Sequence, residues 1–568
     1  MIERVLILGG YGVFGSRLAI QLLRRGRYEV VVAGRDQKKL HAFCTQVGAL
    51  PYRLDRDSNG ELDSALRELS PTLIVDAAGP FQAYGTDRIR LARKAIETGI
   101  HYLDLADDRS FVLGFSELDR LAKTQGVSAL SGASSIPSLS AAAADVLCKN
   151  LKACQLIETA IVPGNRAPRG ASLIRAILSQ VGRPIRMWRG GRFSEALCWG
   201  ETKTIRLSIP GVPPLTPRWV SLFNAPDYDL FPRRYGATSV LFYAGLELKL
   251  LHGGLWGLGW LVRLRILTSL APCARLATWV AERFTRFGSD RGGMTVSVFG
   301  RNCSGAAVRR TWTLIAEAGD GPNIPIIPAV VMVEKILARE VAPGARPCVG
   351  EFTLSEAETA MQSLATKTHI DEQPAQPLFE RALGEGFCCL PAAVQNLHTV
   401  FDRRIYEGRA TIQRGRSFVS KLYAFIAGFP PASAGVPVEV QIARTRAGEH
   451  WIRQFGARRF ESHLHRWPND EMNIVWERFG VLSFAIRLEA RAEGLRYPIQ
   501  RARLGRLPLP RFLLPLSESS ESQDETGAFR FDVSLSLPTG GLIARYTGSL
   551  RPVESPVGDI SRSNANGR

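Results

Sequence analysis

Seven residues near the start, Gly9-Gly10-Tyr11-Gly12-Val13-Phe14-Gly15, separate two segments of opposite periodicity. Before them Val5-Leu6-Ile7-Leu8 is a short apolar run of the kind that forms a buried parallel strand. After them Phe14, Leu18, Ala19, Leu22 and Leu23 recur at helical spacing up to Gly26, a natural stop. Gly10, Gly12 and Gly15 have the spacing G-x-G-x-x-G, and its strand-to-helix setting makes it the signature of a dinucleotide turn. Glycine there lets backbone N–H groups approach a pyrophosphate, and the helix N-terminus adds partial positive charge.

The alternation continues. Glu29–Ala33, Leu50–Leu54, Thr72–Asp76, Ile100–Leu105 and Val127–Leu130 read as further strands, with helices over 37–47, 60–69, 88–98 and 111–125 between them. Six strands alternating with helices over about 130 residues predict a Rossmann-type doubly wound parallel sheet. Arg35 stands at the end of the second strand, where an acidic residue would take a ribose 2′-OH and an arginine accommodates a 2′-phosphate. The pattern therefore favours NADP over NAD. Asp36, the next residue, either joins that contact or caps the following helix. The same glycines fit the G-x-x-G-x-x-G of extended short-chain dehydrogenases, but none of the 12 Tyr has Lys four residues on, which disfavours that class.

Length bounds the rest: 568 residues call for roughly three or four domains. The segmentation reads as 1–135, the dinucleotide-binding domain; 136–366, a mixed α/β substrate domain; and 378–552, a mostly antiparallel β domain of unknown role. Thr204–Ile209 and Met294–Phe299 are strands of the middle region. Pro325–Val341 is an apolar helix that leads back toward the first domain, and Lys367–Pro377 is a linker. In the last region Val436–Ile442, His450–Phe455, Met472–Phe479, Leu482–Glu489, Phe529–Leu537 and Gly541–Gly548 alternate as strands. Ser517–Thr526 reads as an acidic loop, and the last 15 or so residues as disordered.

The formal net charge is +19, yet 61 of the 72 basic residues are Arg and they are scattered. With no RNP-like motif, zinc-finger spacing or basic arm, a nucleic-acid partner is not expected. The nine Cys are dispersed and show no metal spacing, so no metal is expected. His463 and His465 share a face of a strand but have no third ligand in view. The opening residues have no signal-peptide architecture, and a reducing cytoplasm fits the cysteine usage.

Leu250–Val262, LLHGGLWGLGWLV, falls short of the roughly 20 residues of a membrane span. With Ile266–Ala274 and Trp256, Trp260 and Trp279, it reads either as a buried helix pair or as an apolar surface lying on a membrane. A peripheral contact through 250–274, at the inner face of a membrane, and a homo-oligomer are both left open.

Further motifs follow the strand ends: Asp76-Ala77-Ala78-Gly79-Pro80-Phe81, Gly99-Ile100-His101-Tyr102-Leu103-Asp104-Leu105 and Ser131-Gly132-Ala133-Ser134-Ser135-Ile136-Pro137. Together with the glycine turn and Ala33-Gly34-Arg35, they resemble the saccharopine dehydrogenase-like family over roughly residues 3 to 360. Weaker matches are Arg234-Tyr235-Gly236, Phe242–Glu247 and Gly344–Gly350. The resemblance implies an NADP-binding Rossmann domain with an α/β domain interrupting its end. It places Gly10, Tyr11, Gly12, Val13, Phe14, Gly15, Gly34 and Arg35 at the cofactor, and Ala78, Gly79 and Pro80 beside its nicotinamide half. Tyr102 and Asp104, at the end of the fifth strand, are the candidate catalytic residues, expected to face the crevice. His101 points the other way by strand alternation. Family members often follow the Asp with a small residue, Gly and Glu; this chain has Ala106-Asp107-Asp108. Residues 378–552 resemble an uncharacterised domain family through Leu397-His398, Gly428-Phe429-Pro430, Trp451–Phe455 and Glu477–Gly480, and no activity follows from it.

Three functions remain in view. The first is an NADP-dependent oxidoreductase acting on an unknown, lipid-like small molecule at a membrane surface. The second is a catalytically silent NADP-binding protein whose C-terminal domain recognises a ligand or partner. The third is a peripheral membrane scaffold with a vestigial nucleotide site.

Overall fold

The computed structural model describes residues 2–85, 87–426, 429–510, 512, 514–539 and 541–553. The expected C-terminal disorder and Gly428 of the quoted motif fall outside the described residues. The strands β1 (Glu3–Leu8), β2 (Tyr28–Gly34), β3 (Leu50–Arg53), β4 (Leu73–Asp76), β5 (His101–Asp104) and β6 (Ser128–Ser131) form a parallel sheet in the order 3-2-1-4-5-6. A seventh parallel strand, Gly344–Pro347, extends it beside β6. Two residues in its four carry no strand signal (Gly and Pro), so the sequence pattern hides it. The helix before it, Ile327–Leu337, brings the chain back as expected and buries nearly all its apolar residues.

The inserted residues build a mixed seven-stranded sheet around the long strand Leu151–Val162. Its apolar side chains are continuous with one face of the parallel sheet in a single cluster that includes Val5, Leu103, Ile157 and Val296. The linker expected over Lys367–Pro377 is mostly a strand instead: Thr366–Pro374 pairs antiparallel with Ala307–Ala316 at the sheet edge. Its polarity reflects that edge, where one side faces water.

The C-terminal region has its own core and a 14-stranded antiparallel sheet. A 12-residue strand, Arg403–Arg414, had no clear alternation and adds to those expected. The acidic loop over 517–526 is likewise partly strand, Ser520–Gln523, because Glu521 turns inward. The region is fastened to the middle domain by charge: Arg189 forks onto Asp402 at 2.6 to 3.1 Å, and Arg192 reaches Glu439 at 2.7 Å.

The apolar segment at 250 is not a buried pair. It forms the helix Lys249–Arg263, followed by Ala274–Arg283, with Leu250, Trp256, Leu258, Trp260, Leu264, Ile266, Leu276 and Trp279 exposed. Val262, Leu270 and Ala274 anchor it on Leu178, Val181 and Trp199. Among the described residues no helix is long and apolar enough to cross a membrane.

Candidate nucleotide site

The turn between β1 and helix α1 (Val13–Arg25) is packed from beneath. Gly9 has φ +67°, and a Cβ there would lie 2.6 Å from Ala78 Cα; a Cβ on Gly15 would lie 2.4 Å from the Gly9 carbonyl oxygen. Gly12 differs: its φ is an ordinary −75°, and a Cβ would meet only that same oxygen, at 3.1 Å. Packing forbids side chains at 9 and 15, whereas at 12 it leaves space on the outer side, where a pyrophosphate approaches. No side chain caps α1, and its first bond runs from Ser16 N to the Gly12 carbonyl. The preceding N–H groups of Val13, Phe14 and Gly15 are therefore directed at the helix mouth.

Tyr11 crosses from this turn to the end of β2. Its ring lies against Gly34, where a Cβ would fall 2.2 Å from ring carbon Cε1, and its hydroxyl accepts from the Asp36 N–H at 3.1 Å. Asp36 itself caps helix α2 (Gln37–Val47), accepting from the Lys39 N–H at 3.1 Å. Of the two roles open to Asp36, the cap is the one in place. Arg35 between them is exposed and makes no ion pair among the described residues. An uncapped helix, space at Gly12 and an exposed guanidinium at the end of β2 suit a dinucleotide.

At the other end of the sheet β4 and β5 finish in paired carboxylates, Asp76 opposite Asp104, both fully buried. Asp76 accepts from the Ala78 N–H and the Tyr84 hydroxyl at 2.9 to 3.0 Å, and so sets the Ala78-Gly79-Pro80 loop. Arg56 stacks 3.4 Å from the centre of the Tyr84 ring and approaches Asp76 at 3.9 Å. Asp104 Oδ1 accepts three bonds, from the N–H groups of Ala106 and Gly132 and from the Ser131 hydroxyl, while Oδ2 has no partner among the described residues. Burial pushes its carboxyl up to about 7, against the lowering by those donors.

Tyr102 and Asp104 do not face an open crevice as expected. Tyr102 is 1% exposed and stacks on Phe115 with centroids 5.5 Å apart, under the helices that cover this side of the sheet. Burial and the two carboxylates raise its phenol well above its ordinary range. Asp104 instead joins the loops after β5 and β6 through backbone. The His101 Nδ1 accepts from the Ser128 N–H of the neighbouring strand at 2.9 Å.

The middle domain supplies residues that sequence reasoning missed. The loop 163–170 brings Gly170 against Val13, a Cβ on it meeting Val13 Cγ2 at 3.4 Å. Arg169 next to it donates to Asn165 Oδ1 at 3.0 Å, and its buried Nε has no partner. Glu247 holds this loop from behind, accepting from the Asn165 and Ser289 N–H groups at 2.6 and 2.9 Å. Only the Asn-Arg-Ala-Pro-Arg-Gly run between a strand and a helix signals such a loop. His463 stacks on His450, and among the described residues no group of three metal-ligating side chains forms.

These features define a dinucleotide-binding α/β domain with a second domain folded over its phosphate turn. Residues 5–130 match the family model of the saccharopine dehydrogenase NADP binding domain. Residues 390–550 match a domain of unknown function, DUF4166. No curated protein matches the chain. Among solved structures it is similar to apo histidine-tagged saccharopine dehydrogenase (L-Glu forming) from Saccharomyces cerevisiae, at 14% identity and a TM-score of 0.46, over 65% of this chain and 100% of that one. It is also similar to biliverdin reductase in complex with biliverdin and NADP+ from Synechocystis sp. PCC 6803, at 11% identity and a TM-score of 0.31, over 64% and 96%.

Proposed function

We propose that the chain is an NADP-dependent oxidoreductase that works on an apolar small molecule at the cytoplasmic surface of a membrane. The observation that carries the nucleotide part is the exposed Arg35, with no ion pair among the described residues, beside an uncapped helix whose Gly12 leaves space for a pyrophosphate. Val13, Phe14 and Gly15 would hold the pyrophosphate through backbone N–H groups, Arg35 the 2′-phosphate, and Ala78-Gly79-Pro80 the nicotinamide side. Arg169, in the loop whose Gly170 meets Val13, would add a cation near the anionic ligand. Hydride transfer is the chemistry such a dinucleotide supplies when bound. Asp104 acts on the site by fixing the two loops that flank it, as a positioning residue.

The membrane part rests on the exposed face of helices Lys249–Arg263 and Ala274–Arg283. Between 249 and 286 there are six basic residues and one acidic, Glu282. Arg263 lies 4.4 Å from the Trp260 ring centre and Arg283 5.3 Å from that of Trp279, so apolar and cationic groups share one face. That combination suits anionic lipid headgroups. The patch is tied to the nucleotide turn, because Asn165 donates to the Phe284 and Phe287 carbonyls at 2.6 and 2.9 Å.

The burial of Tyr102 and Asp104 favours one alternative, a silent NADP-binding protein whose C-terminal domain takes a ligand. Calorimetric titration separates the parts of this reading. Arg35→Glu should weaken NADPH binding about tenfold or more and leave NADH binding unchanged. Equal loss for both would remove the NADP assignment. NADPH consumption with vesicle-borne carbonyl or enone lipids, absent for every candidate while binding persists, would leave the silent reading.

A further inference from the structure

The C-terminal sheet wraps on itself. Leu482–Arg487 and Glu489–Arg491 adjoin in the chain with only Leu488 between them, yet they lie near opposite ends of the strand order. Side chains from strands far apart in that order therefore meet inside. Alternate residues of each strand face the same space: Trp451, Arg453 and Phe455 on one strand, Glu477 and Phe479 on another, Phe529 and Phe531 on a third. They leave a cavity of about 130 Å³, similar to the roughly 150 Å³ engineered cavity that takes up benzene.

This is not ordinary core. Native interiors pack with few voids larger than a water molecule. The wall is aromatic and aliphatic, but it contains a connected polar group. Arg453 donates to Glu477 Oε1 at 3.0 Å and to the Ser462 hydroxyl at 2.7 Å, and that hydroxyl donates to Glu477 at 2.7 Å. Nearby His398 Nε2 pairs with Glu521 at 2.6 Å, and the Tyr497 hydroxyl lies 3.3 Å from the same nitrogen. His398 is fully buried, and its Nδ1 has no partner among the described residues. Such groups in an apolar chamber contribute little to stability compared with a well-packed apolar filling, so their presence asks for another use. Phe429, Ile499, Ser517, Val533 and Leu535 on the lining are only half-buried, which marks the side of entry.

We infer that the C-terminal domain binds one compact, uncharged apolar molecule, a ring body with a single hydroxyl or carbonyl directed at the Arg453–Glu477 and His398–Tyr497 groups. Burial selects for neutrality, because a charged ligand would lose its hydration in an apolar chamber whose Arg453–Glu477 and His398–Glu521 groups are already paired. An uncharged hydroxyl or carbonyl finds both donors and acceptors there at lower cost. The site is separate from the nucleotide turn and stands whether or not that turn binds NADP.

The test uses the full-length chain and the fluorescent, uncharged probe N-phenyl-1-naphthylamine. Probe emission should rise on binding and fall when 1-naphthol is added, whereas 1-naphthoate, the same ring system as an anion, should displace it at least about tenfold more weakly. Leu464→Phe fills the chamber and Val533→Trp blocks its rim, and each should weaken probe binding about tenfold. Saturating NADPH should leave displacement unchanged. If Leu464→Phe lowers the melting temperature, the rim variant decides. Probe binding unaffected by Val533→Trp, or naphthoate competing as well as naphthol, would overturn the inference, as would the absence of displaceable binding.

Discussion

The Tyr11 hydroxyl accepts the backbone N–H of Asp36 at 3.1 Å, so the glycine turn and the end of β2 are held as one piece. The two ends of a dinucleotide site are thereby spaced before any ligand arrives. Tyr11→Phe removes the acceptor and leaves the ring. Because the freed N–H can turn to water, the loss should be about 1 kcal/mol, or roughly fivefold in NADPH affinity. Calorimetry checks this, and an unchanged affinity would mean that the bond does not position Arg35.

Glycines 12 and 15 should separate folding from binding. Gly15→Ala forces a Cβ to 2.4 Å from a backbone oxygen, and nothing there is flexible enough to yield. It should destabilise the chain by about 1–3 kcal/mol and abolish the NADPH-induced rise in melting temperature. Gly12→Ala has an allowed backbone conformation and one close neighbour, so its melting temperature without ligand should stay near wild type while the NADPH-induced rise is lost. If both variants melt like wild type and still respond to NADPH, the turn is not the pyrophosphate site.

Asp104 links stability to pH. Its folded-state value, about 7, lies above the ordinary 3.8, so the native chain holds this proton more tightly than the unfolded chain. The contribution is fully present below pH 3.8 and is lost as pH rises to and through about 7. Asp104→Asn keeps an acceptor for Ala106 and Gly132 but cannot ionise. Its stability relative to wild type should improve between pH 5 and pH 8, by no more than about 3 kcal/mol. A difference in melting temperature that is flat across this range would contradict a buried, shifted carboxyl.

The sequence signal was strong wherever a local pattern and its structural context coincided. Gly9–Gly15, α2 and the six strands of the first sheet are placed by short-range periodicity. Asp36 as a cap follows from its position before Gln37. What escaped depends on contacts far apart in the chain. Gly344–Pro347 is strand because β6 offers an edge. Arg169 matters because Glu247, 78 residues later, holds its loop from behind through Asn165. The burial of Tyr102 was hidden because alternation gives a residue's face, and both faces of a parallel sheet are covered.

Arg189 and Asp402 couple the middle and C-terminal regions through a fork that is nearly closed to water, with side chains 13% and 7% exposed. Arg189→Ala strands a buried carboxylate and should cost about 3–5 kcal/mol. The double variant Arg189→Ala with Asp402→Ala should recover part of that loss. Calorimetric melting reads both the cost and any division into two transitions. If the single variant melts unchanged, this pair does not fasten the regions.

The Trp-Arg face predicts a salt-sensitive affinity for lipid. The wild-type chain should float with anionic vesicles more than with zwitterionic ones, and added salt should weaken the association. Replacing Trp256, Trp260 and Trp279 together by Ser should lower vesicle-bound protein about tenfold. Flotation of the triple variant equal to wild type would dismiss the membrane contact.

The seventh strand at Gly344–Pro347 also sets an order of assembly. During synthesis β6 emerges more than 200 residues before its outer neighbour, so the first sheet waits with an unpaired apolar edge while the inserted domain is made. An exposed edge is a template for pairing with other chains. The insertion therefore has to fold promptly and deliver residues 344–347 to that edge. Substitutions that slow it should first show as aggregation of newly made chains in the cell, even where the finished protein has ordinary stability.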